Sequence, residues 1–175
     1  MSIRRKRIES LAHELLQNNK ILEPPVPVES IARASGLQIF MQPLDSDLSG
    51  ILVRNDDAGV VGVNSNHALV RQRFTIAHEL GHFLLHRGEP VHVDRAVQAK
   101  FRSTLSSQGT DPEEIEANLF AAELLLPREF LARDLHEVPA VDILDDEFVR
   151  DLAKRYNVSA QALMLRLCNL GYVDQ

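Results

Sequence analysis

Residues 78–82 read His78-Glu79-Leu80-Gly81-His82, and this pentapeptide constrains the chain more than any other segment. Side chains four apart lie on one face of an α-helix, so both imidazoles can reach one metal ion. Glu79 follows the first imidazole and is placed to draw the proton from a water molecule that the metal activates. Imidazole with carboxylate ligation suits zinc, whose catalytic sites use three protein ligands and keep one position open. The surrounding residues favour a helix. Apolar side chains at 69, 70, 74, 76, 77, 80, 83 and 84 recur at helical spacing. Asn64, Ser65 and Asn66 offer N-caps, and Gly88 offers a stop.

A third protein ligand is expected from another helix packed across the first. The segment from Glu113 to Leu126 places Glu113, Glu114, Glu116 and Glu123 on an otherwise apolar helix, with Ala117, Ala121 and Ala122 small enough for close packing. Glu114 is favoured because Asn118 follows it by four residues on the same face. Asn118 can then hydrogen-bond a ligating imidazole from behind. Glu113 and Glu116 stay open as alternatives. Asp111 with Glu114 also has the spacing of a capping box, a purely structural use of the same glutamate.

His86 continues the face of the two histidines, but a further turn carries it past their shared point. It reads as structural, or as a support behind a ligand. Residues 87–110 carry little pattern beyond a short strand at Val91-His92-Val93; His92 and Asp94 could approach the site from there, but a solvated loop is the favoured reading. His13, His67 and His136 have no partner pattern. Cys168, the only cysteine, excludes an internal disulfide and reads as a small hydrophobe.

Elsewhere the periodicity predicts helices over 4–19 and 28–35, with Gly36 ending the second. Strands are predicted at 37–41, 49–53 and 59–64, the last two joined as a hairpin by a polar turn at 54–58. Helices are expected from Asp111 to Leu126, after Pro127, and over 145–156 and 159–169. The fold class is α+β, a small antiparallel or mixed sheet packed on helices. The division is a metal-site domain at 1–126 and a helical tail at 127–175, packed on the core.

The net charge of −6 gives no global attraction for nucleic acid. Helix, turn and helix near Leu152–Leu163 have the outline of a DNA-reading unit. However, residues 127–175 hold 6 Lys and Arg against 9 Asp and Glu, and the second helix offers only Arg166. Direct DNA binding is therefore not expected. No apolar run reaches membrane-spanning length, and the basic Arg4–Arg7 is followed by Glu9, His13 and Glu14 rather than an apolar stretch, so a cytoplasmic chain is expected.

Together, Arg73–His86 and Glu114–Pro127 resemble the ImmA/IrrE family of zinc metallopeptidases, as do the Ser49-Gly50 strand and the Val63-Asn64 ending. The resemblance spans about residues 5–135. It implies a zincin-like core, zinc held by His78, His82 and Glu114, and Glu79 as general base. It also implies a protein substrate: a helix-turn-helix repressor that is cleaved or inactivated in a stress, phage or mobile-element switch. The alternative is a non-proteolytic zinc-binding regulatory module or toxin–antitoxin component that acts by binding. An extended substrate is expected to add to a free sheet edge, taken as Val60–Val63. No residue is identified as the oxyanion stabiliser.

Overall fold

The computed structural model describes residues 3–55, 58–86, 90–95, 111–136 and 145–173. Helices α1 (Arg5–Asn18) and α2 (Val28–Ala34) precede strands β1 (Leu37–Gln42), β2 (Leu48–Asn55) and β3 (Ala58–Asn64). Helix α3 (Leu69–Leu85) and strand β4 (Val91–Arg95) follow, then α4 (Pro112–Leu125), α5 (Arg128–Asp134), α6 (Asp146–Tyr156) and α7 (Ala160–Leu170). The turn at Asp56-Asp57, the stop predicted at Gly88 and most of the segment 87–110 lie outside the described residues.

The four strands form one mixed sheet in the order β1-β3-β2-β4. β2 and β3 make the expected antiparallel hairpin, with Gly50 opposite Val63 and Asn55 opposite Ala58. β1 runs parallel to β3, and β4 runs antiparallel to β2. This order overturns the reading of Val60–Val63 as a free edge. β3 is hydrogen-bonded on both sides, and among the described strands the edges are β1 and β4. A parallel partner returning from β1 leaves no signal in β3 itself, because its apolar run suits an interior strand equally well.

The short strand expected at Val91–Val93 is present; it extends to Arg95 and pairs with β2. Its alternation is inverted: Val91 and Val93 are exposed, whereas Asp94 is buried. Val60, Val53 and Val91 stand opposite one another across three strands, and all are exposed. This face of the sheet is therefore apolar and open, and the helices cover the other face.

α3 is buried without interruption from Thr75 to His82, and again at Leu85. It passes between the sheet and α4. A side chain at Gly81 would stand 3.2 Å from the Ala117 Cα and 3.0 Å from the Phe120 ring, so glycine and alanine together set the close crossing of α3 and α4. Its amino end departs from the predicted caps. Ala68 occupies the cap position and no side chain caps the helix. Asn64 is committed elsewhere: its amide bonds the carbonyls of Asp45 and Leu48 and accepts from Asn66 N, tying the loop after β1 to the end of β3. At the other end His86 is extended, and the Arg54 guanidinium reaches the carbonyls of His82 and His86, two of the acceptors a helix end leaves free.

α6 and α7 lie where helices are expected, capped by Asp145 and Ser159, with Asn157 left-handed between them. Phe130, Leu131, Leu152, Tyr156, Leu163 and Leu167 join the same buried cluster as Ile8, Ile31, Leu80 and Phe120. Cys168 is half-buried on α7. Among the described residues no helix is long and apolar enough to cross a membrane.

Candidate metal centre

The α3 spacing brings His78 and His82 one turn apart, with their Nε2 atoms 3.1 Å from each other. The crossing at Gly81 and Ala117 then decides which carboxylate of α4 meets them. Glu114, one turn before Ala117, places Oε2 at 3.6 Å from His78 Nε2 and Oε1 at 3.3 Å from His82 Nε2. His92, from β4, completes the group with Nε2 at 3.4 Å from Glu114 Oε1. The ligand atoms of His78, His82, His92 and Glu114 all lie within 4.8 Å of one another.

These separations fit a metal ion. Tetrahedral coordination with bonds of about 2.0–2.1 Å sets donor atoms about 3.3–3.4 Å apart. The four separations, 3.1, 3.6, 3.3 and 3.4 Å, scatter around that value. His92 Nε2 is buried with no hydrogen-bond partner among the described residues, as expected for a donor aimed at a cation. Burial, reinforced by the neighbouring His82, holds the His78 imidazole down to about 3 and the His92 imidazole down to about 4. Both are therefore neutral, the ligating form, at ordinary pH. Burial alone would raise Glu114, but its bond to His82 and the nearby His78 and His92 bring it down to about 2.

The remaining partners separate three roles. Asn118 Oδ1 sits 3.1 Å from His78 Nδ1, the position expected of a group that fixes a ligating ring from behind. Asp111 caps α4 by accepting from Glu113 N, while the Glu114 carboxylate turns to the histidines. Because Asp111 accepts from Glu113 N rather than from Glu114 N, the helix is capped without a capping box and the Glu114 carboxylate is left to the histidines. Glu113 is exposed. Glu116 is buried, but it faces Arg4 and His86 rather than the four donors. His86 Nδ1 lies 3.2 Å from His82 Nδ1, behind that ring.

Glu79 is fully buried, and neither carboxylate oxygen makes a hydrogen bond to another described residue. Burial raises it well above the ordinary carboxylate range, with Asp94 and Glu114 adding to the effect. His78, Glu79 and Asp94 have ligand atoms within 4.8 Å of one another. Gly50 of β2 leaves the space this carboxylate occupies. A Cβ there would fall 3.3 Å from Glu79 Oε1 and 2.6 Å from the Thr75 methyl.

His92 and Asp94 correct the reading of a solvated loop. β4 pairing sets His92 opposite Leu52 and Asp94 opposite Gly50, so both turn to the metal side. The signal was the alternation Val91-His92-Val93-Asp94, which puts the two polar residues on one face of a strand. Beside the cluster a cleft of about 500 Å³ opens between α3, α4 and α7, with walls that include Phe74, Ile115, Leu119 and Leu165 and with Thr75, Asp94 and Asn118 shared with the centre.

Residues 32–168 match the IrrE N-terminal-like domain, the M78 peptidase family. The match spans most of the chain, including β4 and the helices after Pro127. The chain therefore belongs to this zincin-like metallopeptidase family, with His78, His82, His92 and Glu114 as its candidate metal site. No curated protein matches the chain.

Proposed function

We propose that the chain is a zinc-dependent endopeptidase of narrow specificity, with a helix-turn-helix transcriptional repressor as its substrate. One observation carries the hydrolytic part. Glu79 is a buried carboxylate without a hydrogen bond to any described residue, and it stands beside four converging donors. An ionised group so placed costs stability and contributes no structural contact. Chemistry is the reason to keep it.

His78, His82 and Glu114 would hold zinc, with Asn118 orienting His78. His92 is the most exposed of the three imidazoles, at 25% against 1% and 3% for His78 and His82. It enters from an edge strand, so it is the donor best placed to yield its position to substrate. When bound, zinc supplies Lewis acidity, which lowers the pKa of a water molecule and polarises an amide carbonyl. Glu79 would accept a proton from water and return it to the departing amine, a role suited to a buried carboxyl group whose affinity for protons is raised. The low-dielectric surroundings strengthen each of these interactions.

The substrate path has two supports. Among the described strands β4 is an edge beside the donors and suits an extended peptide added as a further strand. The adjoining cleft is mostly apolar and suits side chains flanking the reacting bond. The repressor assignment rests on the family resemblance. Protein rather than DNA recognition is favoured because Arg166, the only cation of α7, is buried and forms a two-point ion pair with Glu123.

The deciding experiment incubates the zinc-loaded chain with candidate helix-turn-helix repressors and follows fragments by mass spectrometry. Cleavage by the native chain, lost in Glu79→Gln with zinc retained, supports the reading. Unchanged biological output in Glu79→Gln removes it.

A further inference from the structure

His82 is supported differently from His78. Behind His78 stands one amide. Behind His82 runs a chain of side chains that leaves the site altogether. His82 Nδ1 is 3.2 Å from His86 Nδ1, and His86 Nε2 is 3.1 Å from Glu116 Oε2. Glu116 in turn accepts from the Arg4 backbone N–H at 2.8 Å and from its guanidinium Nε at 3.0 Å. Arg4 Nη2 also bonds Glu116 and reaches the Leu85 carbonyl at 3.3 Å. His82, His86 and Glu116 are all buried, and Arg4 is the residue that caps α1.

Proton bookkeeping along this chain has one solution once His82 gives Nε2 to a metal. Neutral imidazole carries a single N–H, so that proton sits on Nδ1 and is donated to His86 Nδ1. His86 must accept there, which places its own proton on Nε2. That proton goes to Glu116, a carboxylate that can only accept. Arg4 supplies the balancing positive charge. Each bond polarises the next in a low-dielectric interior.

We propose that His86, Glu116 and Arg4 are positioning residues for the metal ligand His82, and that this chain couples metal binding to docking of the N-terminal helix. The inference rests on the metal site and not on hydrolysis. Coupling is reciprocal: whatever factor Arg4 lends to metal affinity, the metal lends to the docking of Arg4.

The test uses the full chain, stripped of metal and titrated with Zn²⁺ against a competing chelator. Glu116→Gln is expected to weaken zinc binding about 10- to 100-fold, the usual cost of losing a group behind a ligand. Arg4→Gln, at a partly exposed position, weakens it in the same direction. Glu9→Gln, an exposed carboxylate of α1 outside the chain, does not. Zinc slows amide exchange over residues 4–8 in the native chain by the factor that Arg4→Gln loses in affinity. Ring ¹⁵N spectra of the zinc form show His82 protonated on Nδ1 and His86 on Nε2, a signature that general loosening would not produce.

Native zinc affinity in both Glu116→Gln and Arg4→Gln overturns the proposal. So does a His86 proton on Nδ1, or two zinc ions per chain, which would make His82 a bridge to a second ion at His86 and Glu113. Zinc binding with the expected sensitivity but no peptide cleavage leaves this inference standing and removes only the peptidase reading. No zinc binding removes both.

Discussion

Replacing Glu79 with glutamine should stabilise the metal-free protein. The carboxylate is wholly buried and neither oxygen hydrogen-bonds another described residue. Leaving a buried polar group unsatisfied costs about 1–3 kcal/mol, with charged groups at the upper end or beyond. Glutamine keeps the shape and removes the charge, so a gain of about 1–3 kcal/mol is expected at pH 8. For a chain of this size that is roughly 2–12 °C in Tm. The pH dependence follows from linkage. Glu79 holds its proton more tightly folded than unfolded. The carboxyl is therefore no burden below its unfolded value, 4.5, and becomes one as pH rises through the folded value. The advantage of Glu79→Gln should thus be near zero at pH 4 and full only above the folded pKa. Added zinc, a cation beside the carboxylate, should shrink it. Differential scanning calorimetry in chelator across pH 4–8, for both proteins, measures all three features. A variant no more stable than the native chain at pH 8, or a difference that does not change with pH, would refute the reasoning.

The other predictions concern the ligands and their frame. Glu114→Ala should weaken zinc binding far more than His92→Ala, measured by chelator competition, because Glu114 touches both α3 histidines and His92 is the exposed donor. Asn118→Ala should cost about 10- to 100-fold in zinc affinity, as the group behind His78. Gly81→Val should destabilise by about 1–3 kcal/mol in urea unfolding, since any Cβ there already stands at 3.2 Å from the α4 backbone. Titration of labelled duplex DNA at low salt should give no affinity with a steep salt slope, given the single, buried cation of α7.

The legible parts of this protein were those that one helix or strand decides alone. Helix geometry puts His78 and His82 on one face, and Glu114 on the same face as Asn118, whatever surrounds them. Caps at Asp111, Asp145 and Ser159 are likewise local, each a side chain bonding an amide two or three residues on. Asn64 misled for the opposite reason. Its amide has several backbone groups within reach, and the loop won over the helix end.

Everything that required two distant segments to meet was settled by packing. Glu113, Glu114 and Glu116 point in directions about 100° apart per residue around α4. Only the crossing at Gly81 and Ala117 selects Glu114 for the centre and leaves Glu116 to Arg4 and His86. His92 and Asp94 reach the site because β4 pairs with β2, and strand pairing leaves no local trace beyond the alternation itself. The same non-locality hid the interior position of β3 and the Arg4 link, which joins residues far apart in sequence through one buried carboxylate. The sequence by itself determined the chemistry on offer: two imidazoles and a base on one helix, carboxylates on another. Tertiary structure alone decided which carboxylate and which further histidine complete the set. Periodicity fixes a side chain's direction about its own axis, and only packing fixes that axis relative to the next.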